Sequence, residues 1–390
     1  MKTIQPADRI SHVEEYYFSR KLKEVARMNQ DGGIPVISLG IGGPDFIPSD
    51  LTIQALIDDV RRSDAHSYQS YVGLPELRKA WGQFYKRWYD VDLDPQTEML
   101  PLIGSKEGIM HVSMAFLNPG DKVLVPDPGY PTYTSVSKLV GAEIIKYDLT
   151  YENNWEPDFD ALERIPGLDD VKLMWVNYPH MPTGHKASTQ LLERIVDFGR
   201  RHQIVIINDN PYSFILNDNP LSILQVPGAK DICLEFNSMS KSHSMAGWRQ
   251  GIVCGNAEFI SWILRVKSNV DSGMFRPMMK AAIAALNNPE EYYSRQNDAY
   301  RERRVVAEQI MTQLGCEFDP SQSGLFLWGR IPESAPDCES ITEPVLHQAR
   351  VFITPGFIFG KNGERFIRIS LCAPAEKMET ALQRIKNLNK

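Results

Sequence analysis

A repeated switch of hydrophobic period in the middle of this chain leaves few folds open to it. Ser188 or Thr189 can cap a helix whose apolar residues Leu191, Leu192, Ile195, Val196 and Phe198 recur at helical spacing. That pattern ends near His202, and Ile204-Val205-Ile206-Ile207 follows at once as a wholly apolar run. Similar short runs lie at 122–125, 171–176, 232–236 and 251–254. Strands without a polar face, set between helices, must be covered on both sides. The pattern therefore predicts an α/β fold with a mostly parallel sheet between helical layers. Ligands of such sheets sit beyond the carboxyl ends of the strands. The residues that follow each strand are where chemistry is expected.

After Pro277 the character changes. A long helical stretch runs from 278 to about 314, and alternating segments follow near 324–329 and 365–371. This reads as a smaller α+β domain. The first 40 residues hold one polar helix and lead into the loop Gly40-Ile41-Gly42-Gly43-Pro44-Asp45. The expected division is an N-terminal arm with a lead-in segment over 1–45, a large domain over 46–276 and a small C-terminal domain over 277–390. The length of 390 residues agrees with two or three domains, or one large domain with an appendage. A share of 43% hydrophobic and 23% charged residues excludes long disorder, collagen and coiled coil. A net charge of −7 argues against nucleic acid or an anionic membrane as the main partner. No apolar run approaches the roughly 20 residues needed to span a bilayer, and residues 1–20 lack a signal-like apolar core. A cytoplasmic location is expected. Cys233, Cys254, Cys316, Cys338 and Cys372 form neither a CxxC pair nor a metal pattern, so reduced thiols are expected.

Several motif matches carry nothing. GFIFGK at 356–361 is one residue short of a P-loop and lacks its final Ser or Thr. The glycines of 40–43 do not complete GxGxxG. Ser238-Met239-Ser240-Lys241 matches the SxxK of penicillin-recognising enzymes, but their SDN and KTG companions are missing. HExxH does not occur, and His180 and His185 have a poor ligand spacing, so no metal site is expected.

Other residues converge on strand ends. Lys241 stands in a serine-rich turn just beyond the run 232–236, eight residues before Arg249 in Gly247-Trp248-Arg249-Gln250-Gly251. A lysine can form a Schiff base and an arginine can grip a phosphate with two parallel hydrogen bonds, so the pair suits an aldehyde-bearing phosphate. Asp209 follows the run 204–207, with Tyr212 three residues on. A carboxylate there could partner a protonated ring nitrogen, or simply cap a turn. Gly104-Ser105-Lys106-Glu107-Gly108 opens a helical pattern, either as a phosphate seat or as an ordinary N-terminus. The prolines of Pro126-Asp127-Pro128-Gly129-Tyr130-Pro131 aim Tyr130 at the strand ends, to stack on a planar ligand or to fill the core. Arg368 alternates with Ile367 and Ile369 in a strongly apolar segment, which calls for a carboxylate partner, internal or from a substrate.

Together these segments resemble fold-type I pyridoxal-phosphate enzymes of the class I/II aminotransferase family. The strongest piece is SMSKSHSMAGWRQG at 238–251, similar to the family's S-x-S-K-x(7)-R-x-G signature. YQSYVGLPELRKA (68–80), NPGDKVLVPDPGYPTY (118–133), NYPHMPTG (177–184) and FIRISL (366–371) support it in the family's order. LIGSKEG, VPGAK, KSNVDSG and TPGFIFG resemble the branch of LL-diaminopimelate and related broad amino-acid aminotransferases, with aspartate-like enzymes nearby. The resemblance implies a large domain with a mostly parallel seven-stranded sheet sandwiched by helices, plus a smaller α+β domain. It implies pyridoxal 5'-phosphate as cofactor and ping-pong exchange between an L-amino acid and a 2-oxo acid, with 2-oxoglutarate and glutamate as one pair.

The resemblance also assigns roles. Lys241 would carry the cofactor and move the proton, Asp209 would pair with the ring nitrogen, Tyr212 would bond the phenolic oxygen, and Asn177 would be among the cofactor-binding residues. Tyr130 would stack on the ring. Gly104, Ser105, Lys106, Ser238 and Arg249 would seat the phosphate. Tyr68 would reach the neighbouring subunit's phosphate, which implies a homodimer with shared sites. Arg368 would hold the substrate α-carboxylate, with Gly42 and Met181 beside it. Met181 is a departure, because the family usually has asparagine there. That departure raises a lyase or decarboxylase on the same fold as an alternative. A cofactor-binding regulator lacks the 60 to 80 residues a DNA-binding module would need. Arg20 and Arg276 are candidates for a distal substrate carboxylate, or plain surface charges.

Overall fold

The computed structural model describes residues 4–389. Its strands are β1 (Ile37–Ser38), β2 (Met99–Leu102), β3 (Lys122–Asp127), β4 (Glu143–Asp148), β5 (Val171–Val176), β6 (Val205–Asp209), β7 (Cys233–Ser238), β8 (Gly251–Gly255), β9 (Glu317–Phe318), β10 (Phe326–Arg330), β11 (Val351–Phe352), β12 (Thr354–Pro355) and β13 (Phe366–Ser370). Seven of them form one sheet in the order β2-β8-β7-β6-β5-β3-β4. Only β8 runs against the rest, antiparallel to both β2 and β7. The mostly parallel seven-stranded sheet is therefore as the resemblance implied.

Alternate residues of these strands enter two different apolar clusters. Leu124, Met174, Val176 and Ile206 join one cluster, and Val123, Val125, Leu173, Trp175 and Ile207 join the other. A strand sends successive side chains to opposite faces, so two apolar clusters mean two covered faces. That is why the runs carry no polar alternation. The helix Thr189–His202 starts where Ser188 Oγ accepts the Leu191 amide at 3.0 Å, which settles the cap in favour of Ser188.

A four-stranded antiparallel sheet, β12-β13-β10-β9, builds the C-terminal region, and β1 pairs in parallel with β11. The long helix expected over 278–314 is two helices, Arg276–Leu286 and Glu290–Gln313. Pro289 has no amide hydrogen to continue the first helix and disfavours helical backbone at Asn288, so the break falls there. The first of these helices lies against helices Asp50–Val60 and Pro75–Tyr89. No described helix is long and apolar enough to cross a membrane. All five cysteines are free.

Candidate active site

The carboxyl ends of β6 and β7 deliver Asp209 and the turn that holds Lys241 to one cavity of about 410 Å³. Its lining includes Ser105, Lys106, Tyr130, Asn177, Met181, Tyr212, Ser238 and Arg249, all expected there. Lys241 sits in the one-turn helix Met239–Ser242 that follows β7. Its amine donates to the Gly42 carbonyl. Burial lowers the Lys241 pKa, and the Arg368 and Arg249 charges push the same way against the pull of Cys372. A neutral amine is thereby brought nearer to neutral pH.

Asp209 is buried, and burial raises its pKa to about 6. Tyr133 donates its hydroxyl to one carboxylate oxygen at 2.8 Å. The other oxygen, Oδ1, is buried with no partner. A buried acceptor left open costs stability unless something fills it. Tyr133 in turn stacks on Trp175, with ring centroids 4.9 Å apart, and meets Tyr130 edge to face at 5.5 Å.

Opposite Asp209 the lining is cationic. Helix Ser105–Phe116 presents its N-terminus, with Lys106 on its first turn. Gly104 has φ +82°, and a Cβ there would collide with the Arg249 guanidinium. A Cβ on Gly251 would come within 3.1 Å of the Ser105 nitrogen. These glycines let an arginine and free helix amides crowd round one point. Burial lowers the Lys106 pKa, and the Arg249 charge adds to that. Glu107 anchors the helix start by accepting the Ile103 amide at 2.6 Å and His111 Nε2–H at 2.8 Å. Ser238 caps the Lys241 turn, its hydroxyl accepting the Ser240 amide at 3.1 Å.

Arg368, on β13, lines an adjoining chamber that shares Tyr130, Met181, Tyr212 and Lys241 with this cavity. It is 4% exposed, yet no acidic side chain pairs with it among the described residues. Its guanidinium lies over Phe326 at 3.8 Å and Phe359 at 4.6 Å, donates to the Gly40 carbonyl at 2.9 Å, and leaves Nε unpartnered. Burial lowers its pKa to about 10. No internal carboxylate of the kind the sequence allowed pairs with it among the described residues. Met181 Sδ stands 3.2 Å from Arg368 Nη1. The Asn177 amide is spent on backbone, donating to the Asp209 carbonyl and accepting the Met181 amide at 2.9 Å. It lines the cavity with one amide hydrogen and its oxygen already engaged.

Two expected residues lie elsewhere. Tyr68 is 91% exposed and does not line the cavity of its own chain. Arg276 pairs with Asp59 at 3.1 Å and Asp64 at 2.8 Å, in line with the charge-only alternative. Arg20 faces an adjoining cavity formed by the arm. Sequence reasoning missed Tyr133, Ser240 and the aromatic wall of Phe18, Phe326 and Phe359. Tyr133 had a signal, since it lies one helical turn after Tyr130. Phe326 had none: it meets Arg368 because it pairs with Ser370 while Trp328 pairs with Arg368, a diagonal contact set by the sheet register.

A lysine after a central strand, a carboxylate after its neighbour and a glycine-lined arginine on one mostly parallel sheet define a fold-type I aminotransferase. The family model for "Aminotransferase class I and II" matches residues 34–385, and the chain belongs to that family. It is 40% identical to the LL-diaminopimelate aminotransferase of Aquifex aeolicus (strain VF5) over 98% of both chains. Substrate-bound BacF from Bacillus subtilis superimposes with a TM-score of 0.93 at 33% identity, covering 100% of this chain and 98% of that one. A probable N-succinyldiaminopimelate aminotransferase from Thermus thermophilus gives a TM-score of 0.87 at 29% identity, over 95% of this chain and 99% of that one. The protein is an aminotransferase.

Proposed function

We propose that this aminotransferase uses pyridoxal 5'-phosphate, bound through Lys241, to exchange an amino group between an L-amino acid and a 2-oxo acid. The observation that carries the reading is that Asp209, whose buried Oδ1 has no partner, lines the same cavity as Lys241 and the cationic Lys106 and Arg249. One carboxylate, one neutral amine and two cations suit a ligand with a protonated ring nitrogen at one end and a phosphate at the other. The cofactor, when bound, supplies an electron sink conjugated to the amino-bearing carbon.

The chain's own groups supply the rest. Arg249, Ser105, Lys106 and Ser238 hold the phosphate, with Gly104 giving it room. Asp209, braced by Tyr133, keeps the ring nitrogen protonated. Tyr130 covers the ring, and Tyr212 donates to the phenolic oxygen. Arg368 grips the α-carboxylate by its free Nε edge, which turns the α-hydrogen toward Lys241. The Lys241 amine, its pKa lowered by burial, takes that proton and returns it one position along. In net terms the donor gives up its amino group and α-hydrogen and leaves as its 2-oxo acid, its new oxygen coming from water, and a second 2-oxo acid accepts both with release of water, so the cycle balances without an external oxidant. Glutamate with 2-oxoglutarate is the pair proposed to complete the cycle.

We also propose a homodimer, in which the exposed Tyr68 reaches the partner's phosphate. No observation favours a lyase or decarboxylase. Borohydride reduction of the holoenzyme and peptide mapping tests the core of the reading: label is expected on Lys241, and label on another lysine overturns it. Mixing Tyr68→Ala and Lys241→Ala proteins tests the shared site. Activity should return in hybrid dimers, and none despite proven subunit exchange refutes sharing.

A further inference from the structure

The glycine loop Gly40-Ile41-Gly42-Gly43-Pro44-Asp45 joins β1 to the helix Asp50–Val60. Its two ends are fastened. The Leu39 amide donates to the Phe352 carbonyl at 2.8 Å, the Leu39 carbonyl accepts the Ser370 amide at 2.7 Å, and Ser49 caps the helix. Between Leu39 and Ser49 the chain makes no backbone–backbone hydrogen bond. Its backbone is nevertheless what orients Arg368, because the Gly40 carbonyl accepts Arg368 Nη2 at 2.9 Å. A stretch without its own hydrogen bonds keeps one conformation only if something else holds it.

That anchor is Asp45. Its carboxylate takes two hydrogen bonds from the Arg303 guanidinium, from Nη1 at 2.6 Å and Nη2 at 2.9 Å, the forked geometry of a strong ion pair. Nη1 also donates to the Leu371 carbonyl at 3.0 Å, just past the strand that carries Arg368, and the guanidinium lies over the Phe46 ring at 4.5 Å. Arg303 is 6% exposed. It stands on the helix Glu290–Gln313, whose first turn is tied to the residues after Lys241: Tyr292 donates its hydroxyl to the His243 carbonyl at 3.0 Å, and the Tyr293 hydroxyl meets His243 Nε2 at 2.9 Å. One helix therefore braces the Lys241 turn, the glycine loop and the end of β13.

We propose that Arg303 is a positioning residue for amino transfer: by clamping Asp45 it fixes the Gly40 carbonyl, which aims Arg368 at the substrate α-carboxylate. The inference rests on the role proposed above for Arg368. All the contacts that carry it lie within one chain. Asp45→Asn breaks the clamp with little change of shape, because an amide sets an N–H donor against one arm of the guanidinium fork.

The test compares Asp45→Asn, Arg368→Gln and the double variant as holoenzymes, with L-glutamate as donor. Asp45→Asn should lower kcat/KM about tenfold, mainly by raising KM, with cofactor content retained. On the Arg368→Gln background the same substitution should change kcat/KM by less than about twofold, because the group it acts through is gone. A purely structural ion pair would cost the same on both backgrounds, and that result overturns the inference, as does a change within twofold in the otherwise unaltered enzyme. If L-glutamate leaves the cofactor absorbance unchanged, the transamination reading with that donor fails and the clamp is judged by calorimetry. The probe is 3-phenylpropanoate, a monocarboxylate without an amino group. Roughly tenfold weaker binding to Asp45→Asn than to the unaltered holoenzyme supports the clamp. Binding within a factor of two, or none to the unaltered holoenzyme, overturns it.

Discussion

The cavity around Lys241 and the chamber around Arg368 share Tyr130, Met181, Tyr212 and Lys241, yet they are built in opposite ways. The first is polar and charged, and its groups stand at the ends of one sheet. Each lies within a few residues of the strand that positions it. The second is aromatic and assembled from the arm, a loop and two strands more than 300 residues apart in the chain from that arm. The difference separates chemistry from selection. Groups that hold a cofactor and move a proton need fixed geometry, which strand ends provide. Walls that choose a side chain need only shape and polarity, which distant segments can supply.

The largest expected effect falls on Lys241, which lines both regions but acts in the chemistry of the first. Lys241→Ala should lower amino transfer by roughly a thousandfold or more, about 4 kcal/mol of barrier, because the group that carries the cofactor and the proton is lost. Binding of 3-phenylpropanoate should stay within a factor of about two. If both fall together, the two regions are not separable.

Arg368→Gln should strike the second region. Removing a buried partner of a carboxylate costs about 2–4 kcal/mol, read as a fall in kcat/KM, while cofactor content is retained. Loss of cofactor in that variant would join the regions that the comparison divides.

Asp209 gives a test without substrate. Its folded pKa of about 6 lies above its ordinary value of 3.8, so the folded protein binds more protons between those limits. The contribution of Asp209 to the stability of the cofactor-free protein should therefore be greatest below about pH 4 and fall as pH rises to about 6, by the order of 2–3 kcal/mol. Asp209→Asn keeps an acceptor for Tyr133 and should lose this slope. Thermal denaturation of both proteins at pH 4 and pH 7 measures it, and parallel curves would contradict it.

The smallest effect concerns Met181, which touches both regions. A thioether is a weak acceptor and donates nothing. Met181→Asn should tighten carboxylate substrates by about 1 kcal/mol, the net worth of one hydrogen bond. It should also lower the pH at which the Lys241-bound cofactor titrates. Superimposable pH titrations and equal affinities would mean that another group already compensates.

The sheet and the first region were legible in the sequence because their causes are local. Apolar runs such as Ile204–Ile207 declare two covered faces, and Lys241, Asp209 and Ser105 follow such runs or open a helix within a few residues. The same locality marked Arg249 through its flanking glycines. The break at Asn287–Pro289 was readable in principle, but the strong helical pattern on both sides masked it. Tertiary structure alone decided the rest. Nothing local tells that Arg276 is neutralised by Asp59 and Asp64, or that Asn177 spends its amide on backbone. Nor does local sequence place Phe18 and Phe326 on the faces of one arginine. Those contacts depend on the register of β10 against β13 and on where the arm comes to rest. Hydrophobic burial acts without direction, so a sequence can state that a phenylalanine will be buried, but only the packed fold determines against what.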